Sequence, residues 1–326
     1  MLARSAHGLY WIGRYLKRVE HTSRLMELQM NALVDCTWDQ IHFGWLRLFR
    51  HLKTAPHNEE LVNWEEHGDS WGLTDSFALA DELSFVMENE SSILSCFTMG
   101  RENARQMRHC ISSEMWICLN KAYFEIRDLS IEDIWTKDPM QFYANRVQDV
   151  NTFMGVCAAT LYRDERWEFL QIGRLIEHAQ LMLALMSFQN KSTDSVEFED
   201  LEHYDWWSLL HCFQADEAYQ HYFGAKIQPE LVMNMLVADQ LLPNSIDFSL
   251  NQIADRLSAL GEAPANRHGA MANRFIGRLI ALIRFEWPDA ENKTRMLTLA
   301  ESLALKLHEH ITAAWFNYEV DDSVRF

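Results

Sequence analysis

Apolar residues recur at alternating three- and four-residue steps over the first thirty-odd positions of this chain. They are Leu2, Leu9, Ile12, Leu16, Val19, Met26, Met30 and Leu33. Such spacing places the side chains on one face of a helix. The sequence therefore predicts a long amphipathic helix from Leu2 to Leu33.

Similar spacing, interrupted by capping residues and prolines, continues along the chain. The further predicted helices run from about Ile41 to Leu52, from Asp75 or Ser76 to about Ile93, through Gly100 to Asp128, from Asp138-Pro139 to about Tyr162, from Asp164 to near Gln189, from Trp206, from Gln228-Pro229 to before Pro243, from Asn244 through Leu260, from Met271 to Phe285 and from Asn292 to Tyr318. An irregular excursion precedes Asp75, and Asn190 to Glu202 is a polar linker. The six prolines fall at helix boundaries or in loops, and no alternating β pattern separates the helices. An all-α bundle of roughly ten to twelve helices follows.

One tripeptide occurs three times, as Ile12-Gly13-Arg14, Ile172-Gly173-Arg174 and Ile276-Gly277-Arg278. A shift of 160 positions aligns Arg14 with Arg174 and Arg18 with His178. We interpret this as an internal duplication. The prediction is a single domain, 1–326, built from pseudo-repeats at approximately 1–162 and 163–326.

A glycine inside a helix costs about 1 kcal/mol relative to alanine. Close approach of another backbone is the commonest reason for accepting that cost, so a tight helix crossing is predicted at Gly13 and Gly173. The third copy continues with the apolar residues Leu279, Ile280, Leu282 and Ile283. Its partner face is predicted to be core.

Arginines are crowded at two places in the chain. Arg14 and Arg18 are one helical turn apart, where like charges repel unless a carboxylate or bound anion lies between them. Arg101, Arg105 and Arg108 share a second helix face, with Glu102 beside them and Glu114 beyond. This second group is either a solvated stripe or a half-buried set that needs carboxylate or ligand partners.

Charge and composition narrow the possible partners. The formal charge is -18 and the pI about 5.2, which disfavours nucleic acid or an anionic membrane as the main partner. Residues 1–30 nevertheless contain five basic and two acidic side chains. Six cysteines show no Cys-x-x-Cys spacing. With neither a signal peptide nor an apolar span evident, we expect a cytoplasmic protein.

The sequence lacks the familiar catalytic and metal-binding motifs. No Glu-x-x-His pair, His-Glu-x-x-His motif, phosphate-binding glycine loop or nucleophile elbow occurs, so no metal or cofactor site is predicted in this chain. His308 and His310 are two positions apart and are predicted to be on the surface. His178, beside Glu177, is a candidate general acid or base if its pKa is near neutral.

Three blocks of sequence together resemble the alpha-E family of bacterial proteins. They are Met1 to Glu20, Arg101 to Asn120 and Trp167 to Arg174. That resemblance implies an all-helical domain with a Glu-Arg motif. It also implies a role beside a circularly permuted ATP-grasp ligase in a peptide- or amide-forming system, with ATP and Mg on the partner.

This chain departs from the family pattern at three places. Lys17-Arg18 and Glu177-His178 stand where the family has Glu-Arg, and Asn244 replaces an arginine. The departures indicate a diverged member with an altered substrate or partner.

Three functional hypotheses follow. The preferred one is a helical partner subunit of an ATP-grasp carboxylate-amine ligase, with an anion pocket that takes a small carboxylate or peptide. Its proposed ligand-binding residues are the clamps Arg14, Arg18, Arg174 and Arg105 and the orienting carboxylates Glu102, Glu114 and Glu177. In this hypothesis Arg14 and Arg174 face each other across one cleft. The alternatives are an enzyme that uses His178 and Glu177, and a non-catalytic interaction scaffold.

Overall fold

The computed structural model describes residues 1–57, 73–193, 202–261 and 267–316. These residues form fourteen α-helices and one π-helical turn, and no strand occurs among them. The helices are α1 Ala3–Asp35, α2 Trp38–Leu52, α3 Leu73–Ser84, α4 Ile93–Gln106, α5 Ser113–Ile126, α6 Ile131–Trp135, α7 Pro139–Thr160, α8 Glu165–Thr193, α9 Glu202–Cys212, α10 Asp216–Phe223, α11 Pro229–Ala238, α12 Ile246–Ala259, α13 Arg267–Ala281 and α14 Lys293–Trp315. The predicted all-α class is confirmed, but the predicted number of helices was too low.

Two long helices form the centre of the fold. α1 has 33 residues, α8 has 29, and the two pack directly on each other. α4 and α7 pack against α1, whereas α2, α12 and α14 pack against α8. From Leu9 to Met30 the apolar stripe predicted for α1 is buried, with Leu9, Ile12 and Val19 fully inaccessible, whereas Leu2, before the helix, is exposed. None of the described helices has both the length and the apolar character needed to cross a bilayer.

Glycines allow α1 and α8 to touch backbone to backbone. A methyl group on Gly13 would overlap the carbonyl oxygen of Leu170, and one on Gly173 would overlap the carbonyl oxygen of Tyr10. The predicted tight crossing is therefore confirmed. Gly277, in the third copy, has open space where a side chain would lie.

Several predicted helices are shorter than expected because polar caps interrupt them. The helix predicted from Asp75 to Ile93 ends at Ser84, and Ser92 then caps α4 by accepting a hydrogen bond from the Ser95 backbone N–H. The segment Gly100 to Asp128 is two helices rather than one. Ser112 caps the second of them through the Met115 N–H. Apolar spacing continues through both breaks and so conceals them.

Other boundaries agree with the sequence. Asp138 caps α7, with proline in its first turn, and Ser245 caps α12. α2 begins at Trp38, three residues before its predicted start, because Thr37 and Gln40 form a capping box. The short helices α6 and α10 were not predicted.

The predicted linker Asn190 to Glu202 is shorter than expected, because α8 continues to Thr193 and α9 begins at Glu202. Its remainder at 194–201 and the excursion at 58–72 lie outside the described residues.

Candidate functional site

A buried carboxylate joins the two central helices one turn after their glycine crossing. Glu177 of α8 accepts a hydrogen bond from Arg14 Nε at 2.5 Å and another from Arg18 Nε at 2.6 Å. Its side chain is only 1% exposed. The two arginines of α1 thus share one internal counter-ion, which resolves the repulsion noted in the sequence. We call Arg14, Arg18 and Glu177 the first cluster.

The guanidinium of Arg14 has a partner at each of its nitrogens. Nη2 donates to Gln180 Oε1 at 2.8 Å, and Nη1 lies 3.0 Å from His308 Nδ1. Tyr10 Oη also lies 2.7 Å from that histidine nitrogen. The guanidinium packs 4.8 Å from the Trp11 ring. These contacts bring α14 onto the crossing and leave Arg14 fully engaged within the protein.

Electrostatics in the first cluster favour the charged forms. Burial opposes ionisation of Glu177, but the charges of Arg14 and Arg18 outweigh it, so the pKa of this carboxyl is lowered. Burial also opposes the charge on Arg14, yet Glu177 outweighs it and the pKa of Arg14 is raised. The cluster is a stable internal ion pair at neutral pH.

The 160-residue shift relates a second cluster to the first. It places Arg174 at the position of Arg14, Lys17 at that of Glu177 and His178 at that of Arg18. We define these three residues as the second cluster. An ammonium group therefore stands where the first cluster has a carboxylate.

Contacts in the second cluster leave its positive charge largely uncompensated. Lys17 Nζ donates to Glu20 at 3.1 Å, but Arg24 donates to the same carboxylate at 3.2 Å. Arg174 Nε donates to Gln171 Oε1 at 3.2 Å, and within the described part of the chain no ion pair joins Arg174 to a carboxylate. His178 Nε2 donates to the Asn244 carbonyl oxygen at 3.0 Å.

The pKa values of the basic groups in the second cluster are lowered, whereas the pKa of Arg14 in the first cluster is raised. Burial lowers the pKa of Arg174. The charge of Glu20 opposes this effect, and the charge of Arg256 adds to it. Burial also lowers the pKa of Lys17. The charge of Glu20 raises this pKa, and the charge of Arg174 lowers it further. Burial and the charge of Lys17 lower the pKa of His178 to about 3. Arg174 and Lys17 are therefore charges held in an unfavourable environment, which a bound anion would relieve.

The sequence model of the Alpha-E family, described as a predicted alpha-helical domain with a conserved ER motif, matches residues 1–316. This chain belongs to the Alpha-E family. No curated protein and no solved structure matches it.

The family motif gives the first cluster a simple description. The resemblance aligns its Glu-Arg dipeptide with Lys17-Arg18 in the first copy and with Glu177-His178 in the second. In that alignment, each predicted copy keeps one member of the dipeptide. The two members that are kept, Arg18 and Glu177, pair with each other across the helix crossing.

The proposed site residues outside α1 and α8 lie elsewhere. Arg105 and Glu102 form an ion pair at 2.7 Å on the exposed face of α4, and Glu114 is exposed in the first turn of α5. Arg101 is partly buried, donates to Asn120 at 2.7 Å and packs on aromatic rings. None of these contacts joins the α4 and α5 residues to either cluster.

No described hydrogen bond gives Arg14 and Arg174 a common partner. The contacts of Arg14 are with Glu177, Gln180 and His308, whereas Arg174 bonds to Gln171. The two arginines therefore belong to separate clusters around one crossing rather than to opposite walls of one cleft.

Three contributors to the site were missed from the sequence. Gln180 and Gln171 are neutral, so charge patterns did not indicate them. His308 was predicted to be a surface residue, but it is half-buried against Tyr10 and Arg14. A signal was available, because His308 lies between the buried Ala304 and Ile311 at helical spacing.

Proposed function

We propose that this Alpha-E chain is a helical partner subunit of an ATP-grasp-dependent ligase that forms peptide or amide bonds, and that it binds an anionic substrate group at the α1–α8 crossing. The supporting observation is the excess of cations there. Among the described residues, the ion pairs of Arg14, Lys17 and Arg18 use two carboxylates, Glu20 and Glu177, and Arg174 has no carboxylate of its own. In a chain of charge -18, such a local excess favours a role in anion binding.

The ligase part of the proposal rests on the family resemblance. In that arrangement ATP and Mg²⁺ are bound by the partner, and this chain supplies a rigid helical platform with a carboxylate- or phosphate-binding group. Arginine suits this role because its planar fork matches both anions and it remains charged when partly buried.

The geometry gives little support to catalysis by His178 and Glu177. A histidine with a pKa of about 3 is neutral at physiological pH and cannot donate a proton as a general acid. Glu177 is held by two arginines in the interior. The low pKa of His178 and the two arginines on Glu177 favour a binding role for this crossing over catalysis by these two side chains.

Co-purification with an ATP-grasp ligase of the same organism tests the proposal. We expect a stable complex in size-exclusion chromatography and a faster ligase turnover when this chain is added. The Arg174→Met variant should still form the complex but should lose the gain in turnover. A ligase that neither binds the chain nor changes its rate would contradict the partner role.

The scaffold hypothesis makes a different prediction in the same experiment. A pure scaffold would form the complex, and the Arg174→Met variant would support turnover as well as the unaltered chain does. That result would leave the partner role and remove the anion-binding part of the proposal.

A further inference from the structure

The 160-residue shift makes the two clusters equivalent in sequence. Their central groups, Glu177 in the first cluster and Lys17 in the second, have opposite charges. In the first, the Glu177 carboxylate lies between Arg14 and Arg18 and takes one N–H on each oxygen. In the second, Lys17 occupies the position of Glu177, next to Arg174. The protein thus supplies its own carboxylate to one copy and not to the other.

Hydrogen-bond donors remain unused around Arg174. Gln171 is 95% buried, and its Nε2 has no partner among the described residues. Its Oε1 accepts from Arg174 Nε, so the free amide nitrogen is held beside that guanidinium. Arg256 Nε is also buried without a hydrogen bond. Buried donors without acceptors are costly, and a bound anion would satisfy them.

Nearby carboxylates are already shared. Glu20 is divided between Lys17 and Arg24, and Glu168 lies 3.5 Å from Arg256. Solvent reaches the cluster at its edge, because Arg174 is only partly buried and the Arg256 side chain is 29% exposed. An external group can therefore reach the guanidinium of Arg174.

We propose that a substrate carboxylate binds Arg174 and Gln171 beside Lys17 and acts as the counter-ion that Glu177 provides in the first cluster. This inference rests on the proposed function and names the class of its substrate, a carboxylate on a small molecule or peptide. The first cluster is the internal precedent, because there a planar carboxylate takes two N–H donors from the same crossing. Arginine pairs with both carboxylate and phosphate, and the precedent of Glu177 is what assigns the site to a carboxylate.

Ligand-observed NMR with acetate tests the assignment on the full chain. At constant ionic strength and neutral pH, acetate should bind the unaltered protein and inorganic phosphate should bind more weakly. Arg174→Met should weaken acetate binding by at least tenfold, the order expected for loss of a charge-assisted pair. Gln171→Met should weaken it by a smaller factor.

Two further variants sharpen the test. Lys17→Glu places a tethered carboxylate in the second cluster, as Glu177 does in the first, and should abolish acetate binding. Arg278→Met changes the exposed arginine of the third Gly-Arg copy and should leave binding unchanged.

Three outcomes would overturn the inference: no acetate binding, equal binding in Arg174→Met, or tighter binding of phosphate than of acetate. Failure here is separable from failure of the proposed function. A ligase complex without acetate binding would reject the carboxylate site alone, whereas acetate binding without a ligase complex would reject the partner role alone.

Discussion

At the scale of single residues, three buried histidines are neutral because burial disfavours their charged form, and nearby cations add to this effect. His21 Nε2 lies 3.1 Å from His51 Nε2, and His51 Nδ1 donates to the Arg47 carbonyl oxygen at 2.7 Å. Burial lowers the pKa of His51 to about 4. Burial, together with neighbours that include Lys17, lowers the pKa of His21 well below its usual value and that of His178 to about 3.

These histidines should make the protein sensitive to mild acid. Each binds a proton in the unfolded chain near pH 6.5 but not in the folded protein until the pH is much lower. Stability should therefore fall as pH decreases from 6.5 towards 4, with a slope of up to about 1.4 kcal/mol per pH unit for each histidine. Urea unfolding at constant ionic strength measures this.

The His178→Asn variant is the control, because it removes one titrating group and should reduce the slope. Carboxylates with lowered pKa values, such as Glu20 at about 2, act only at lower pH. A free energy of unfolding that stays constant from pH 7 to 5 would contradict the neutral state of these side chains.

The sequence identified part of the site at this scale. Arg14, Arg18 and Glu177 were indicated by an unusual charge pattern on predicted helices, and they do meet. Arg105 and Glu102 showed an equally dense pattern but lie on an exposed face, since charge spacing does not say which face is covered. The contacts of His308 depend on where α14 packs, which local spacing does not specify.

At the scale of elements, the α1–α8 crossing depends on the absence of two side chains. Gly13→Ala and Gly173→Ala should each lower the free energy of unfolding by about 1–3 kcal/mol, since backbone atoms of the other helix must move. The cost should exceed the gain of about 1 kcal/mol in helix propensity. Gly277→Ala has room for its methyl group and should be stabilising by about 1 kcal/mol.

Urea denaturation of the three alanine variants measures these effects, with unchanged m-values as evidence of an intact fold. Stabilisation in all three variants would mean that the crossing tolerates a side chain, contrary to the structure.

Elements with strong local signals were predicted well. α1 follows an unbroken apolar stripe, and α7 and α11 begin at a proline in the first turn. The breaks before Ile93 and Ser113 were missed because serine caps compete with an apolar period that continues across them. The turns before these two helices separate them from the preceding segments, and the spacing of apolar residues does not encode such turns.

At the scale of the whole molecule, an acidic chain encloses a cationic centre. The family and the helical class followed from the sequence, because motif blocks and apolar periodicity extend along most of the chain. The contacts that give the first cluster a carboxylate and leave Arg174 without one did not follow from the sequence, since they depend on how α1 and α8 are placed at their crossing. The division into pseudo-repeats at approximately 1–162 and 163–326 stays a prediction.

The central claim is that Arg14 has an internal carboxylate and Arg174 awaits one from a ligand. Urea unfolding of Arg14→Met and Arg174→Met in the absence of carboxylates tests it most directly. Arg14→Met should lose about 3 kcal/mol or more, because it breaks a buried ion pair with Glu177. Arg174→Met should gain about 1 kcal/mol, because it removes a partly buried charge that has no ion pair among the described residues. A similar loss of stability in both variants would contradict the account.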